Sequence, residues 1–299
     1  MTRALVVGRR RKGRKIPQVV AEVQQLLEAG GWKVDSRVVK RKRDLRRLTR
    51  HAVQGRCDVV VAVGGDGAVI QVATALAGTS VALGIIPTGT GNLLAGNLKI
   101  PRRPAAAART LLTGHPRQID LGRVTIDGVD HDFAVACGIG FDAKVMDATG
   151  TGQKLRWGKL AYLANAIGQT GGIHNAPHVI TIDGVRRTME AAQVFVANFG
   201  RMLPVVEPRR RIRGDDGLLD IIVVRASGPI PGLLAGWEAL MQTDLGESGG
   251  GHVFRAQGRE VQIETDPSRL VETDGSVVGK TPITVSIRPA ALTVIVATK

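Results

Sequence analysis

The sequence predicts an α/β domain built on a parallel sheet, followed by a β-rich, sandwich-like domain. Three observations carry this reading. Over the first 120 residues, short β-branched runs alternate with helical patterns, the order that builds a parallel sheet with crossover helices. Two glycine-rich turns, Gly64-Gly65-Asp66-Gly67 and Pro87–Asn92, follow directly on successive strands. From about Arg123 the texture changes to short apolar runs separated by turn residues. The expected division is residues 1–122 for the first domain and 123–290 for the second, with 113–122 as the junction.

Each element has a local reason. Ala4–Gly8 reads as a buried-type strand. Pro17 opens a helix at its first position, Val20, Val23, Leu26 and Leu27 supply the apolar stripe, and Gly30-Gly31 stops it. Val34–Val39 is the second strand, and Asp44 is expected to cap a short helix carrying Leu45, Leu48 and Val53. Asp58–Val63, with four valines, is the clearest strand. A helix follows to Leu76, then the strand Val81–Ile86 and the second turn, then a helix from Pro101 to Leu112. The β-rich part reads as strands at Arg123–Ile126, Phe133–Ala136, His178–Ile182, Gln193–Ala197, Leu218–Val224, Val261–Glu264, Ile283–Ile287 and Leu292–Val296. Helices are expected near Leu155–Gln169 and Pro231–Gln242. Thr-Ile-Asp-Gly-Val occurs at 125–129 and again at 181–185. Asp-Gly is the favoured two-residue hairpin turn, so the repetition reflects shared turn chemistry and not duplication.

Composition narrows the function. With 41 Lys+Arg against 26 Asp+Glu the net charge is +15, and residues 1–50 hold 11 Arg and 5 Lys against 4 acids. The excess points to phosphate-bearing partners. Aromatics are only 3% of the chain, which disfavours a single-strand nucleic-acid binder that stacks bases on aromatic platforms. The longest run of apolar residues and glycine, Phe133–Phe141, has nine residues, short of the ~20 that a spanning helix needs. Ala4–Gly8 is too short for the apolar region of a secretory signal. Cys57 and Cys137 make neither a metal-ligand spacing nor a disulfide framework, and Cys137 reads as a small core residue. A cytoplasmic protein is expected.

The two turns hold the candidate chemistry. A parallel strand delivers its C-terminal end to the crevice where α/β sheets bind ligands. Glycines admit close approach of an anion, and the following helix N-terminus favours negative charge. Asp66 would repel a phosphate unless it faces a divalent ion or accepts a proton; as a plain turn residue it would cap the next helix. In the second turn Thr90 and Asn92 can hydrogen-bond phosphate or ribose, while Gly89 and Gly91 keep the backbone accessible. No Lys-Ser/Thr follows, so this is not a Walker loop, and Leu94 stands where a dinucleotide fingerprint needs its third glycine. His174 and His178 are four apart, but Pro177 denies them a shared helix.

The pair Gly64-Gly65-Asp66-Gly67 and Gly89-Thr90-Gly91-Asn92-Leu93-Leu94-Ala95 resembles the diacylglycerol kinase catalytic-domain family, which includes sphingosine and ceramide kinases and soluble bacterial lipid kinases. The likeness continues in order through Ile119-Asp120-Leu121-Gly122, Gly138-Ile139-Gly140-Phe141-Asp142-Ala143, Gly158-Lys159-Leu160-Ala161-Tyr162, Asp215-Asp216-Gly217-Leu218-Leu219-Asp220 and Thr273-Asp274-Gly275. The resemblance implies an enzyme that binds ATP on its α/β domain and phosphorylates the hydroxyl of a diacylglycerol-like lipid. It also implies that the final strand, within 291–299, can pack back against the first domain. Gly64, Gly65, Asp66, Gly67, Gly89, Thr90 and Asn92 are cast as nucleotide contacts, with Asp66 close to Mg²⁺-phosphate and so also a catalytic residue. Asp274 is cast as the base that activates the acceptor, Asp120 as part of the polar network around the substrate, and Asp216 with Asp215 as ligands of a structural Mg²⁺.

The sequence departs from the family at several positions: Ala68 replaces the usual Thr, Ile70-Gln71 replaces Asn-Glu, Gly96 stands where Arg is frequent, and Ser276 stands where a carboxylate is usual. A non-catalytic nucleotide- or lipid-binding descendant and an NAD kinase-like activity therefore stay open beside the lipid kinase. Lys12, Arg14 and Lys15 follow the first strand and are candidates to meet phosphate. Lys40–Arg47 reads as a solvated face or, with the first cluster, as a peripheral contact with an anionic membrane surface.

Overall fold

The computed structural model describes residues 1–141, 175–201, 212–226, 243–248 and 250–298. The helices expected at Leu155–Gln169 and Pro231–Gln242, the Asp142-Ala143 and Gly158–Tyr162 motifs, and His174 lie outside these residues. The chain divides into two units, Met1–Leu121 with Pro289–Lys299 and Gly122–Arg288.

In the first unit, β1 (Arg3–Arg9) is followed by α1 (Ile16–Ala29), β2 (Lys33–Val39), α2 (Lys42–Gln54), β3 (Val59–Gly64), α3 (Asp66–Leu76) and β4 (Ala82–Pro87). Helices α4 (Leu93–Asn97) and α5 (Pro104–Thr113) complete it. The strands run parallel in the order β2-β1-β3-β4. Every residue of β3 and β4 is buried, as expected for strands covered on both faces by crossover helices. Helix α1 packs on α5, and α2 packs on α3. Right-handed crossovers place α1 on one face and α2 with α3 on the other. In register, Gly64 lies beside Pro87 and Gly8 beside Val63, so both glycine-rich turns leave the sheet at its C-terminal edge.

Three local expectations are corrected here. Asp44 does not cap α2; it sits in the first turn, and Arg41 holds the cap position without a side-chain bond. A carboxylate in the first turn still favours the positive end of the helix. The helix expected from Pro101 begins at Pro104, whose fixed φ suits the first helical position. Between the second turn and that helix lies the short α4, which the sequence reading lacked.

The second unit is antiparallel. It contains the last part of β5 (His115–Ile126), then β6 (Val129–Phe133), β7 (Ala136–Phe141), β8 (Ala176–Ile182), β9 (Val185–Ala191), β10 (Gln193–Ala197) and β11 (Leu219–Val224). After these come β12 (Gly246–Glu247), β13 (Val253–Gly258), β14 (Glu260–Thr265), β15 (Leu270–Thr273), β16 (Ser276–Lys280) and the first part of β17 (Ile283–Val296). One sheet has the order β12-β13-β11-β10-β7-β15-β16. The other pairs β17 with β14, β14 with β8, and β8 with β9. Their inner faces share one core: Ile139, Val194, Val196, Ile221 and Val271 from the first sheet meet Ile180, Val261, Ile263 and Val285 from the second. This is a β-sandwich, built from the period-two alternation seen in β14 and β8.

Two strand expectations change for physical reasons. Phe133–Ala136 is not one strand: Phe133 ends β6, Ala136 opens β7 and Ala134-Val135 break the run, because the N–H groups of residues 134–136 bond the Asp274 carboxylate. The separate strands expected at Ile283–Ile287 and Leu292–Val296 are one strand, β17, which kinks at Pro289-Ala290. Ala290 has φ of 50° there, and its Val294 pairs in parallel with Leu83 of β4.

Candidate functional site

The site grows from the two glycine-rich turns of the first unit. Gly65 forms the extended cap of α3, and Asp66 is the first helical residue. A Cβ on Gly89 would lie 2.5 Å from the Gly65 Cα, and a Cβ on Gly65 would lie 3.0 Å from the Gly89 Cα. The two turns therefore stack backbone against backbone, and both positions require glycine for that approach. Asp66 does not cap its own helix. Its carboxylate accepts the Asn92 N–H at 3.0 Å and the Leu93 N–H at 2.5 Å, tying the start of α4 to the start of α3. A Cβ on Gly91 would come within 2.6 Å of Asp66 Oδ2.

Asn92 completes the lock. It is buried and left-handed, with φ of 50°, a conformation Asn tolerates better than most residues. Its Oδ1 accepts the Gly89 N–H and its Nδ2 donates to the Gly89 carbonyl, both at 2.9 Å. Thr90, by contrast, is exposed, and its Oγ1 accepts a long 3.5 Å contact from Arg14 Nη2. Ala68, in place of the family threonine, is buried, and a Cβ on Gly64 would lie 2.5 Å from its Cβ.

Beside this lock is a cleft of about 330 Å³. Arg14 and Lys15 enter from the segment after β1, Thr88, Gly89 and Asn92 from the second turn, and Arg102 from the connection before α5. None of its lining residues is acidic. Three cations, a hydroxyl and an accessible glycine backbone suit a chain of phosphates. Arg14 and Lys15 were candidates from sequence. Arg102 was missed, although its position just ahead of the proline that opens α5 is the signal that could have found it.

Asp120 is buried in the first unit, and its Oδ1 accepts the Ala290 N–H at 2.7 Å. It thereby holds the left-handed kink of β17.

In the second unit Asp274 lies with Gly275 in the turn between β15 and β16. Both have positive φ, 46° and 80°, as do Asp127-Gly128 and Asp183-Gly184, so all three are type I′ hairpin turns. What differs is the carboxylate. Asp274 Oδ2 accepts the Ala134 N–H at 2.7 Å, while Oδ1 accepts Val135 and Ala136 at 2.9 and 3.2 Å. Buried Asn198 braces the same segment through Nδ2 to the Ala134 carbonyl at 2.9 Å. Asp183 makes a smaller version of this contact, accepting the N–H groups of Arg259 and Glu260. Ser276 is exposed.

The carboxylates expected at a structural metal are otherwise engaged. Asp215 pairs with Arg213 Nε at 3.1 Å, and Asp216 Oδ1 accepts the Leu218 N–H of its own turn at 3.2 Å. A guanidinium beside Asp215 supplies the charge a cation would bring, and no group of three His, Cys, Asp or Glu side chains suits a metal ion among the described residues. His178 is buried, with Nδ1 2.7 Å from the Ala176 carbonyl oxygen. Burial, reinforced by Arg269, pushes its pKa down. Burial drives the Cys137 thiol far up, with the charges of Asp274 and Glu272 adding, which leaves it an inert core residue.

Residues 3–124 match the diacylglycerol kinase catalytic domain, and residues 134–296 match the YegS C-terminal NAD kinase β-sandwich-like domain. The chain is 31% identical over 264 residues to a diacylglycerol kinase of Mycobacterium tuberculosis, covering 84% of this chain and 81% of that one. It is 30% identical over 271 residues to the "Probable lipid kinase YegS-like" of Pseudomonas putida, covering 89% and 86%. Protein sll0036 of Synechocystis is 29% identical over 237 residues, and the match spans 79% of this chain and about half, 54%, of that relative. Among solved structures, a diacylglycerol kinase from Bacillus anthracis has a TM-score of 0.76 at 23% identity, covering 99% and 96% of the two chains. Another Bacillus anthracis chain reaches 0.83 at 24% identity, covering 99% and 95%. At these identities the structural likeness speaks to fold.

Proposed function

The chain belongs to the diacylglycerol kinase catalytic-domain family, and on that premise we propose that it is an ATP-dependent lipid kinase. It transfers the γ-phosphate to the hydroxyl of a diacylglycerol-like lipid. The observation that carries the reading is the acid-free cleft in which Arg14, Lys15 and Arg102 face the locked second turn. Phosphoryl transfer rests chiefly on positioning and on neutralising oxygen charge, and this cleft supplies both.

The residues divide the work. Gly64, Gly65 and Gly67 let the nucleotide approach the first turn of α3, whose N–H groups favour anions. Asp66 and Asn92 keep the second turn at a fixed height, so that Gly89 and Thr90 meet the phosphates without reorganisation. Arg14, Lys15 and Arg102 neutralise them. Asp274 takes the proton of the acceptor hydroxyl. Its three N–H donors fix the carboxylate's orientation and leave acceptor capacity on an ion with roughly four lone-pair sites. Asp120 supports this machinery by holding the turn of β17. Mg²⁺, when present, comes with the nucleotide's phosphates and offsets their charge. Among the described residues no helix is long and apolar enough to cross a membrane, and the acceptor is met at an anionic membrane surface by peripheral contact.

The test is transfer of labelled phosphate from Mg·ATP to a panel comprising diacylglycerol, ceramide, sphingosine and an isoprenoid alcohol, with NAD as a separate acceptor. Labelling of a neutral lipid is expected. Labelling of NAD alone, or nucleotide binding without transfer to any acceptor, would overturn the reading.

A further inference from the structure

Helix α2 carries a second cationic feature that shares no residue with the nucleotide cleft. Arg43, Arg46, Arg47 and Arg50 are exposed, while Leu45 and Thr49 are fully buried. With His51 of α2 and Gln71 of α3 they line a groove of about 470 Å³. Arg46 is anchored, its Nη2 donating to Thr74 Oγ1 at 3.2 Å. Arg43, Arg47 and Arg50 have no carboxylate partner among the described residues. Nothing opposite neutralises them: α3 contains a single acid, Asp66, and that side chain is committed to the second glycine turn. Asp44 is the one acid on α2.

We propose that this α2–α3 groove is a docking surface for the phosphate headgroups of anionic phospholipid. Residues 43, 46, 47 and 50 follow helical i, i+3, i+4, i+7 spacing and extend over about 10 Å of helix. One phosphate cannot satisfy four guanidinium forks spread over that length; an array of phosphates side by side can. The groove is lined by arginine, histidine and glutamine, cationic and amide groups that donate to phosphate oxygens. Headgroups at a bilayer surface are the array that matches. The choice of lipid over other polyanions rests on the lipid-kinase reading, because the acceptor resides in the bilayer.

The experiment uses the full chain and sedimentation with vesicles of phosphatidylcholine, with and without phosphatidylglycerol. The variant Arg43→Gln/Arg47→Gln/Arg50→Gln leaves the anchored Arg46 in place. A control, Arg56→Gln/Arg109→Gln/Arg186→Gln, removes the same charge from exposed sites elsewhere. Binding of the unmodified chain is expected to require phosphatidylglycerol and to weaken with salt. The groove variant should lose about a hundredfold in partitioning, the control about threefold or less, and both should retain nucleotide affinity by calorimetry and the thermal midpoint. Equal losses in the two triple variants, or unchanged binding by the groove variant, overturn the proposal. So does tighter groove-dependent binding of duplex DNA or soluble polyphosphate than of vesicles. Vesicle binding is scored without turnover, so absence of lipid phosphorylation counts against the catalytic reading and leaves the docking result to stand or fall separately.

Discussion

Asp66→Asn separates a structural lock from a group that acts on the reacting phosphate. In the structure the carboxylate accepts two backbone N–H groups from the start of α4. Hydrogen bonds to charged groups contribute about 1.5–3 kcal/mol each. Asparagine keeps one acceptor oxygen at neutral strength and turns an NH2 group toward the second N–H, donor against donor. The expected loss is about 2–4 kcal/mol, localised where the second turn is tied to the start of α3. Urea unfolding should show the stability loss. Calorimetric titration with a non-hydrolysable ATP analogue should show nucleotide affinity lower by about tenfold to a hundredfold, since 1.4 kcal/mol is a factor of ten. Wild-type stability and wild-type analogue affinity, together with abolished turnover, would refute the lock and assign Asp66 to the reacting phosphates alone.

Arg102→Ala should raise the KM for ATP by about tenfold with little change in the unfolding midpoint, because it removes an exposed phosphate contact. An unchanged KM would remove Arg102 from the site. Asp183→Asn and Asp274→Asn should each lower stability by about 1–3 kcal/mol, since both carboxylates satisfy backbone donors. Only Asp274→Asn should lose lipid phosphorylation by several orders of magnitude, and parallel kinetic losses would reduce Asp274 to a turn residue. The lowered pKa of His178 means that the unfolded chain binds its proton first as pH falls. Its stabilisation is therefore complete above about pH 6.5 and is lost below, by up to about 1.4 kcal/mol per pH unit until the folded-state pKa is reached. Urea midpoints measured between pH 7.5 and 5 should fall for the wild type and flatten in His178→Gln.

Much of the first unit was legible because its signals are local. Val59–Val63 declares a strand through β-branched residues, and Pro17 and Gly30 punctuate α1. The Asp-Gly pairs announce hairpins because their backbone prefers φ above zero. The errors fell where a distant partner overrides local preference. Phe133–Ala136 carries a strand composition, yet the N–H groups of residues 134–136 turn to a side chain 138 to 140 positions away. Ile283–Val296 looked like two strands because Pro289 interrupts it, but Asp120, 170 positions distant, holds the kink that lets one strand continue.

The candidate site divides along the same line. Residue order was enough for the two-part architecture, the strand–turn–helix units and the type I′ turns, since backbone propensity acts within a few residues. It could not distinguish Asp127, Asp183 and Asp274, which occupy the same turn position with the same dihedral angles. Asp127 has no side-chain partner among the described residues, Asp183 accepts two backbone N–H groups, and Asp274 accepts three. Nor could it reveal that Gly65 and Gly89 stack on each other, that Asp66 and Asn92 bind backbone, or that Arg102 joins Arg14 and Lys15. A carboxylate or guanidinium takes its role from the groups that packing brings within about 3 Å, and tertiary structure alone decides which those are.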